Sequence, residues 1–177
     1  MIRPRAGDFT YTDSEFAAMK ASIALFKAEQ GTAAAASGFV FGILNSDGAT
    51  VDISRNRELV ELAAPLPCTF HRAFDQVRDM RAAAEELVAC GFAAILTSGV
   101  PVGGAIAGAE VVRRLEGDVG GRIALILGGG VREGNVGELR RVTGVRWFHS
   151  AAVTADVGED VDGAEVERLR ARLDEEV

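Results

Sequence analysis

Long apolar runs are missing from this chain: none approaches the roughly 20 residues that a membrane-crossing helix needs. The N-terminus has neither the apolar stretch nor the cleavage site of a secretory signal, so a cytoplasmic protein is expected. Positive charge is scattered and outweighed, with 19 Lys and Arg against 26 Asp and Glu and a net charge of -7 at pH 7. A phosphate-tracking face needs clustered cations, so nucleic acid is not an expected partner. A basic amphipathic helix for a membrane surface is also lacking. Only two cysteines occur, Cys68 and Cys90. They are too few and too far apart for a disulfide scaffold or a zinc motif, and read as reduced, buried structural thiols.

What the chain does have is apolar substance, 48% of its 177 residues. That is enough for a proper core, and a single domain spanning 1–177 is the expectation. Met1 to Arg5 reads as the end of a strand before a Gly7-Asp8 turn. Thr12 and Glu15 form a capping box, and Phe16, Met19, Ile23 and Phe26 recur at helical spacing up to Gly31. A strand follows over Gly38 to Leu44, then a turn at Asn45 to Gly48 and a helix around Arg57 to Ala64. Pro65 and Pro67 introduce a central strand that runs into Thr69-Phe70-His71-Arg72. Asp79 is set to cap a helix through Ala89, with Gly91 as its stop.

The second half repeats the rhythm. A strand over Ala93 to Thr97 ends in Ser98-Gly99, and a glycine-rich loop leads into a helix ending near Leu115. Arg122 to Leu127 reads as a strand that enters Gly128-Gly129-Gly130. A helix near Val136 to Val142 and a strand over Val145 to Ser150 precede an acidic loop and a last helix bearing Val166, Leu169 and Leu173. About six strand-helix units of this kind imply parallel pairing and an α/β fold. Either an open doubly wound sheet or a (β/α)8 barrel is compatible with the count, which falls about two units short of the barrel.

Chemistry is expected at the strand ends, since ligands sit at the carboxyl edge of such sheets. His71 ends the central strand, where an imidazole can transfer a proton or ligate a metal. His149 ends the last strand in the same way, and the two could face one pocket. These two histidines are the catalytic candidates. Gly128, Gly129 and Gly130 offer backbone N–H groups beside a helix start, suited to a phosphate or carboxylate, with Thr97, Ser98 and Ser150 at flanking strand ends. Arg3 and Arg5 would add positive charge there, or pair with helix carboxylates instead. Alternation points Arg72 away from His71, toward a structural role. The residues thus favour a small anionic, phosphorylated ligand or substrate.

Several stretches resemble the CutC copper homeostasis family in order along the chain. They are IRPR and AGDF over Ile2 to Phe9, VFG over Val40 to Gly42, TFHRAFD over Thr69 to Asp75, ILTSG over Ile95 to Gly99, GGGV over Gly128 to Val131 and FHSA over Phe148 to Ala151. The resemblance implies a TIM-type (β/α)8 barrel, here with about six βα units and the first two missing, and a role in copper homeostasis with copper as the bound ion. It implies that the reading frame extends upstream of Met1 and encodes those two units, because the family's opening strands, with acidic and cysteine-containing ends, precede IRPR. Strand edges left open by their absence would make the chain marginal alone, or associate it into a homo-oligomer. Trp147 stands where the family pattern carries an acidic residue, so no role of that acid transfers. Cu(I) prefers thiolate or thioether ligands, and Cys68 and Cys90 are poorly placed to offer them. The residues themselves name no metal site.

Overall fold

The computed structural model describes residues 1–29, 36–155, 158 and 160–174. Helices and strands alternate as α1 (Asp13–Ala28), β1 (Phe39–Phe41), α2 (Ile53–Ala63), β2 (Cys68–Phe70), α3 (Met80–Cys90), β3 (Ala94–Thr97), α4 (Gly104–Val119), β4 (Ala124–Leu127), α5 (Glu133–Thr143), β5 (Trp147–Phe148) and α6 (Gly163–Asp174), with a 3-10 turn over Arg72–Gln76 after β2. The strands form one sheet in the order β1-β2-β3-β4-β5. Pairing is parallel between β1 and β2, β2 and β3, and β4 and β5. Sequential neighbours that pair in parallel require a crossover helix each time, which is the α/β arrangement that the alternating pattern predicts.

Among the described residues five strands are present where about six were expected. The Ile2 to Arg5 segment donates the Ile2 N–H to the Val40 carbonyl at 2.8 Å, so it runs beside β1, but it is not a strand. Other differences lie at element ends. α2 starts at Ile53, not near Arg57, because the Asp52 carboxylate caps it by accepting from the Arg55 N–H. α4 continues past Leu115 to Val119 and stops at Gly120. The last strand is cut from six residues to Trp147–Phe148, the two that pair with Ile126 and Leu127. Gly31, expected to end α1, lies outside the described residues, as do 156, 157 and 159 of the acidic loop.

The chain divides into two compact units, one of Met1–Ile95 with Gly121–Ala124 and one of Leu96–Gly120 with Leu125–Val177. In the first, α1 packs on α2 and α2 on α3. Thr12 and Glu15 make the capping box of α1, Asp79 caps α3, and Gly91 ends α3 in the left-handed region that glycine tolerates best. Phe41, Phe70, Phe74, Met19, Ile23, Leu59 and Leu87 are fully buried. Each contributes about 1.5–3 kcal/mol by leaving water. Phe92 sits tilted against Phe41 at 5.2 Å and edge-on to Phe70 at 5.4 Å, joining β1, β2 and the entry to β3.

In the second unit α4 packs on α5 and α5 on α6. Its tightest approach is backbone on backbone: a Cβ built on Gly108 would lie 1.8 Å from the Ser98 carbonyl oxygen, and one on Gly99 2.5 Å from the Gly108 carbonyl oxygen. Glycine at both positions lets α4 rest directly on the end of β3.

Candidate functional site

In the first unit, the ends of β1 and β2 and the leading segment bring together His71, Gly42, Arg3, Phe9 and Tyr11. The His71 N–H donates to the Phe41 carbonyl at 3.0 Å, which fixes the residue at the end of β2. Its side chain turns inward and is only 4% exposed. Gly42 makes room for it, since a Cβ there would meet the ring at 2.8 Å (Nδ1) and 2.9 Å (Cε1). Gly42 is itself positioned by the buried Asn56 of α2, which accepts from the Ile43 N–H at 3.1 Å and donates to the Ile43 carbonyl at 2.8 Å. Phe9 closes the other side at 4.8 Å between ring centres, held by the Leu44 N–H that donates to its carbonyl.

The hydrogen bonding of His71 determines its protonation. The Ala73 N–H donates to Nδ1 at 3.3 Å, so Nδ1 must be a bare acceptor. The ring proton therefore sits on Nε2. Burial, joined by the nearby Arg3 charge and partly offset by the backbone of His71 itself, brings the imidazole pKa down to about 4. The result is a neutral ring whose N–H donor, Nε2, is buried without a hydrogen-bond partner.

Arg3 stacks over Phe9 at 4.7 Å and donates from Nη2 to the Gly7 carbonyl at 2.7 Å, while its Nε is buried and unpartnered. Tyr11, 7% exposed, likewise buries a hydroxyl without a partner. Burial raises the Tyr11 phenol pKa, while the adjacent Arg3 guanidinium pulls the other way through its charge and its closeness to the hydroxyl, without the two completing a hydrogen bond. Among the described residues these are the three orphaned buried side-chain polar atoms, and all belong to this unit. Arg5 takes the alternative open to it: Nε pairs with Glu15 of α1 at 2.7 Å, and Nη2 with Asp8 and the Thr10 carbonyl. Its guanidinium holds the Asp8 carboxyl down at about 2. Arg72 extends from the 3-10 turn and pairs through Nε with the buried Asp75 at 2.8 Å.

The other predicted positions lie in the second unit, where most polar atoms are engaged locally. Gly128 gives its N–H to the Thr97 carbonyl at 2.9 Å, so that amide serves the sheet. A Cβ on Gly128 would crowd Leu96 at 2.9 Å and approach His149 at 3.5 Å. Gly129 and Gly130 adopt positive φ, and the Gly129 carbonyl accepts the Ala105 N–H at the start of α4. The Thr97 hydroxyl accepts from the Gly99 N–H, and the Ser98 hydroxyl donates to the Val100 carbonyl. Ser150 donates to the Val131 carbonyl and accepts from Ala152, tied in turn to Arg132. His149 is exposed. The anion reading had no role for Tyr11 or Asn56. Tyr11 lies in a loop, where spacing carries no signal, and a mid-helix Asn shows its use only once the strand it serves is in place.

The sequence model of the CutC family matches residues 1–154. The chain belongs to the CutC family. A human relative, named copper homeostasis protein cutC homolog, is 43% identical over 159 residues, covering 89% of this chain and 56% of that protein. A Vibrio vulnificus family protein CutC is 44% identical over 151 residues, 84% of this chain and 58% of that one. The chain thus spans little more than half the length of these curated relatives. The solved Streptococcus agalactiae CutC structure superposes with a TM-score of 0.77 at 30% identity, over 91% of this chain and 71% of that one. A native KDPGal structure, 12% identical, matches with a TM-score of 0.56 over 94% of this chain and shares the fold alone. Together these neighbours make the fold TIM-type.

Proposed function

We propose that this chain is a cytoplasmic copper homeostasis protein whose cargo is the copper ion. The observation that carries the reading is the CutC family match over residues 1–154, with relatives from human to worm named for copper homeostasis. No helix among the described residues is long and apolar enough to cross a membrane, which agrees with a cytoplasmic site of action.

The donor set does not by itself make a copper cage. Among the described residues no three His, Cys, Asp or Glu groups stand close enough to hold a metal ion. Cys68 and Cys90 are buried, with their thiols on the Leu66 and Ile53 carbonyls at 3.8 and 3.7 Å. Burial pushes the Cys68 thiol up to about 11 and raises that of Cys90, so neither offers the thiolate that Cu(I) prefers. Self-association belongs to the same reading: β5 exposes Trp147 at 62%, and sedimentation showing a monomer at every concentration would remove that part.

The test of the role is complementation. Expression of the chain in a bacterium deleted for its own CutC gene should restore growth on copper. Unchanged copper sensitivity with the protein present and folded would reject the reading.

A further inference from the structure

We propose that Arg3, Tyr11 and His71 form a recognition site for a small oxyanion, a carboxylate or a phosphate group. The inference goes beyond copper handling and does not rest on it. Its basis is that the three buried side-chain polar atoms lacking partners, Arg3 Nε, Tyr11 Oη and His71 Nε2, fall in one neighbourhood. Phe9 links two of the residues, lying 4.7 Å from the Arg3 guanidinium and 4.8 Å from the His71 ring, and the Arg3 charge acts on both Tyr11 and His71.

An orphaned buried polar group costs about 1–3 kcal/mol, so native proteins rarely leave even one without a purpose. Three together call for a ligand or for water. Their chemistry decides between kinds of ligand. Arg3 Nε can only donate. His71 Nε2 also donates, because the Ala73 N–H on Nδ1 fixes the tautomer. The Tyr11 hydroxyl is a donor to any anion. Three donors, one of them permanently cationic, match the lone pairs of a carboxylate or phosphate and reject a cation.

One cleft lies beside Arg3 and another beside Phe9. A cleft of about 240 Å³ is lined by Arg3 with Ile2, Pro4, Met19, Ser22 and Phe26. A second, of about 290 Å³, is lined by Phe9 with Gly7, Asp8, Leu44, Gly48 and Gln76. Rigidity comes from below: Gly42 seats the His71 ring, and the Leu44 N–H anchors Phe9. The donors are thus held in place before any ligand arrives, and so lose little entropy on binding.

The experiment uses the full 177-residue chain, labelled with 15N, and follows the His71 imidazole N–H. Sodium phosphate and sodium acetate are titrated separately, with sodium chloride at matched ionic strength as the reference. The Nε2–H signal should move saturably with at least one oxyanion and not with chloride. Tighter binding of phosphate assigns a phosphate ligand, and equal or tighter binding of acetate assigns a carboxylate. Tyr11→Phe should weaken binding about tenfold, as for loss of a hydrogen bond to a charged group, and Arg3→Ala by more. Without ligand, Tyr11→Phe should melt no lower than the parent, because the buried hydroxyl it removes completes no hydrogen bond in the protein. The proposal is overturned if neither anion moves the signal beyond chloride, or if both variants bind as the parent does. It is also overturned if Tyr11→Phe alone destabilises the free protein by several degrees.

Discussion

The backbone N–H of Ala73 points at Nδ1 of His71 from two residues further along the same 3-10 turn. A turn that begins at the end of a strand has spare amides, and the imidazole accepts one of them as a side-chain cap. The family stretch His71-Arg72-Ala73-Phe74-Asp75 is therefore a structural device as well as a place for chemistry. His71 caps the turn, Phe74 is fully buried beneath it, and Arg72 pairs with Asp75 across one turn.

The capped, buried ring gives stability a pH dependence. The folded pKa of about 4 lies below the ordinary 6.5, chiefly through burial. Between these values the unfolded chain binds the proton and the folded one does not. The contribution is therefore complete above pH 6.5 and is lost as pH falls toward 4. At about 1.4 kcal/mol per unit, the loss amounts to about 3 kcal/mol. Urea unfolding of the parent and of His71→Gln at pH 7.5 and pH 4.5 should show the parent losing more stability, by a sizeable part of that amount. Equal losses in the two proteins would mean that the histidine is solvated.

The glycine beneath that ring should not tolerate a methyl group. A Cβ on Gly42 would stand 2.8 Å from Nδ1, 2.9 Å from Cε1 and 3.0 Å from Phe70 Cε2. Neither ring can retreat freely, because both residues are buried. Gly42→Ala should cost about 1–3 kcal/mol, as for overpacking in a core, and should shift the His71 ring resonances. A variant with parental stability and unchanged His71 signals would show that the pocket yields.

Much of this architecture was legible because its signals are local. Thr12 with Glu15, Asp79 and Gly91 each mark a helix end through bonds made within a few residues, and all three appear where expected. The signals that failed depend on partners distant in sequence. The leading Ile2 to Arg5 segment carries strand-like residues but is tied to β1 only through the Ile2 N–H on the Val40 carbonyl among the described backbone bonds. The last strand keeps only the two residues that β4 pairs with. At the site, His71 was visible as an imidazole ending an apolar run, whereas Tyr11 was not, because nothing in its own neighbourhood announces a buried hydroxyl. Gly108 reads in sequence as one more helix residue, and its use appears only with the Ser98 carbonyl against it.

The thiols should behave as closed groups. Cys68 is 1% exposed and Cys90 4%, and burial raises both thiols, Cys68 to about 11. Nucleophilic attack requires the thiolate, so at pH 8 an aromatic disulfide reagent should react slowly with the native chain and rapidly with both thiols in urea. Cys68→Ser and Cys90→Ser should leave Cu(I) competition against a chelator unchanged in the folded protein. A copper affinity that falls in either variant would show that a thiol opens to the metal.

Two glycines of one helix should respond to the same substitution with opposite signs. Ala is ordinarily the better helix residue by about 1 kcal/mol. Gly117 lies in α4 with nothing within 4 Å of a built Cβ, so Gly117→Ala should stabilise the chain by about 0.5–1 kcal/mol. A Cβ built on Gly108, nine residues earlier in the same helix, would lie 1.8 Å from the Ser98 carbonyl oxygen, 2.8 Å from the Ser98 carbonyl carbon and 2.9 Å from the Gly99 Cα. All three are backbone atoms, so relief requires α4 to move off the end of β3. The helix gain is then overwhelmed, and Gly108→Ala should cost about 3 kcal/mol or more, beyond the usual range for one added methyl in a core. Equilibrium denaturation of the two variants beside the parent checks both signs at once. If Gly108→Ala also proved stabilising, the close contact between α4 and the Ser98-Gly99 turn would not exist in solution.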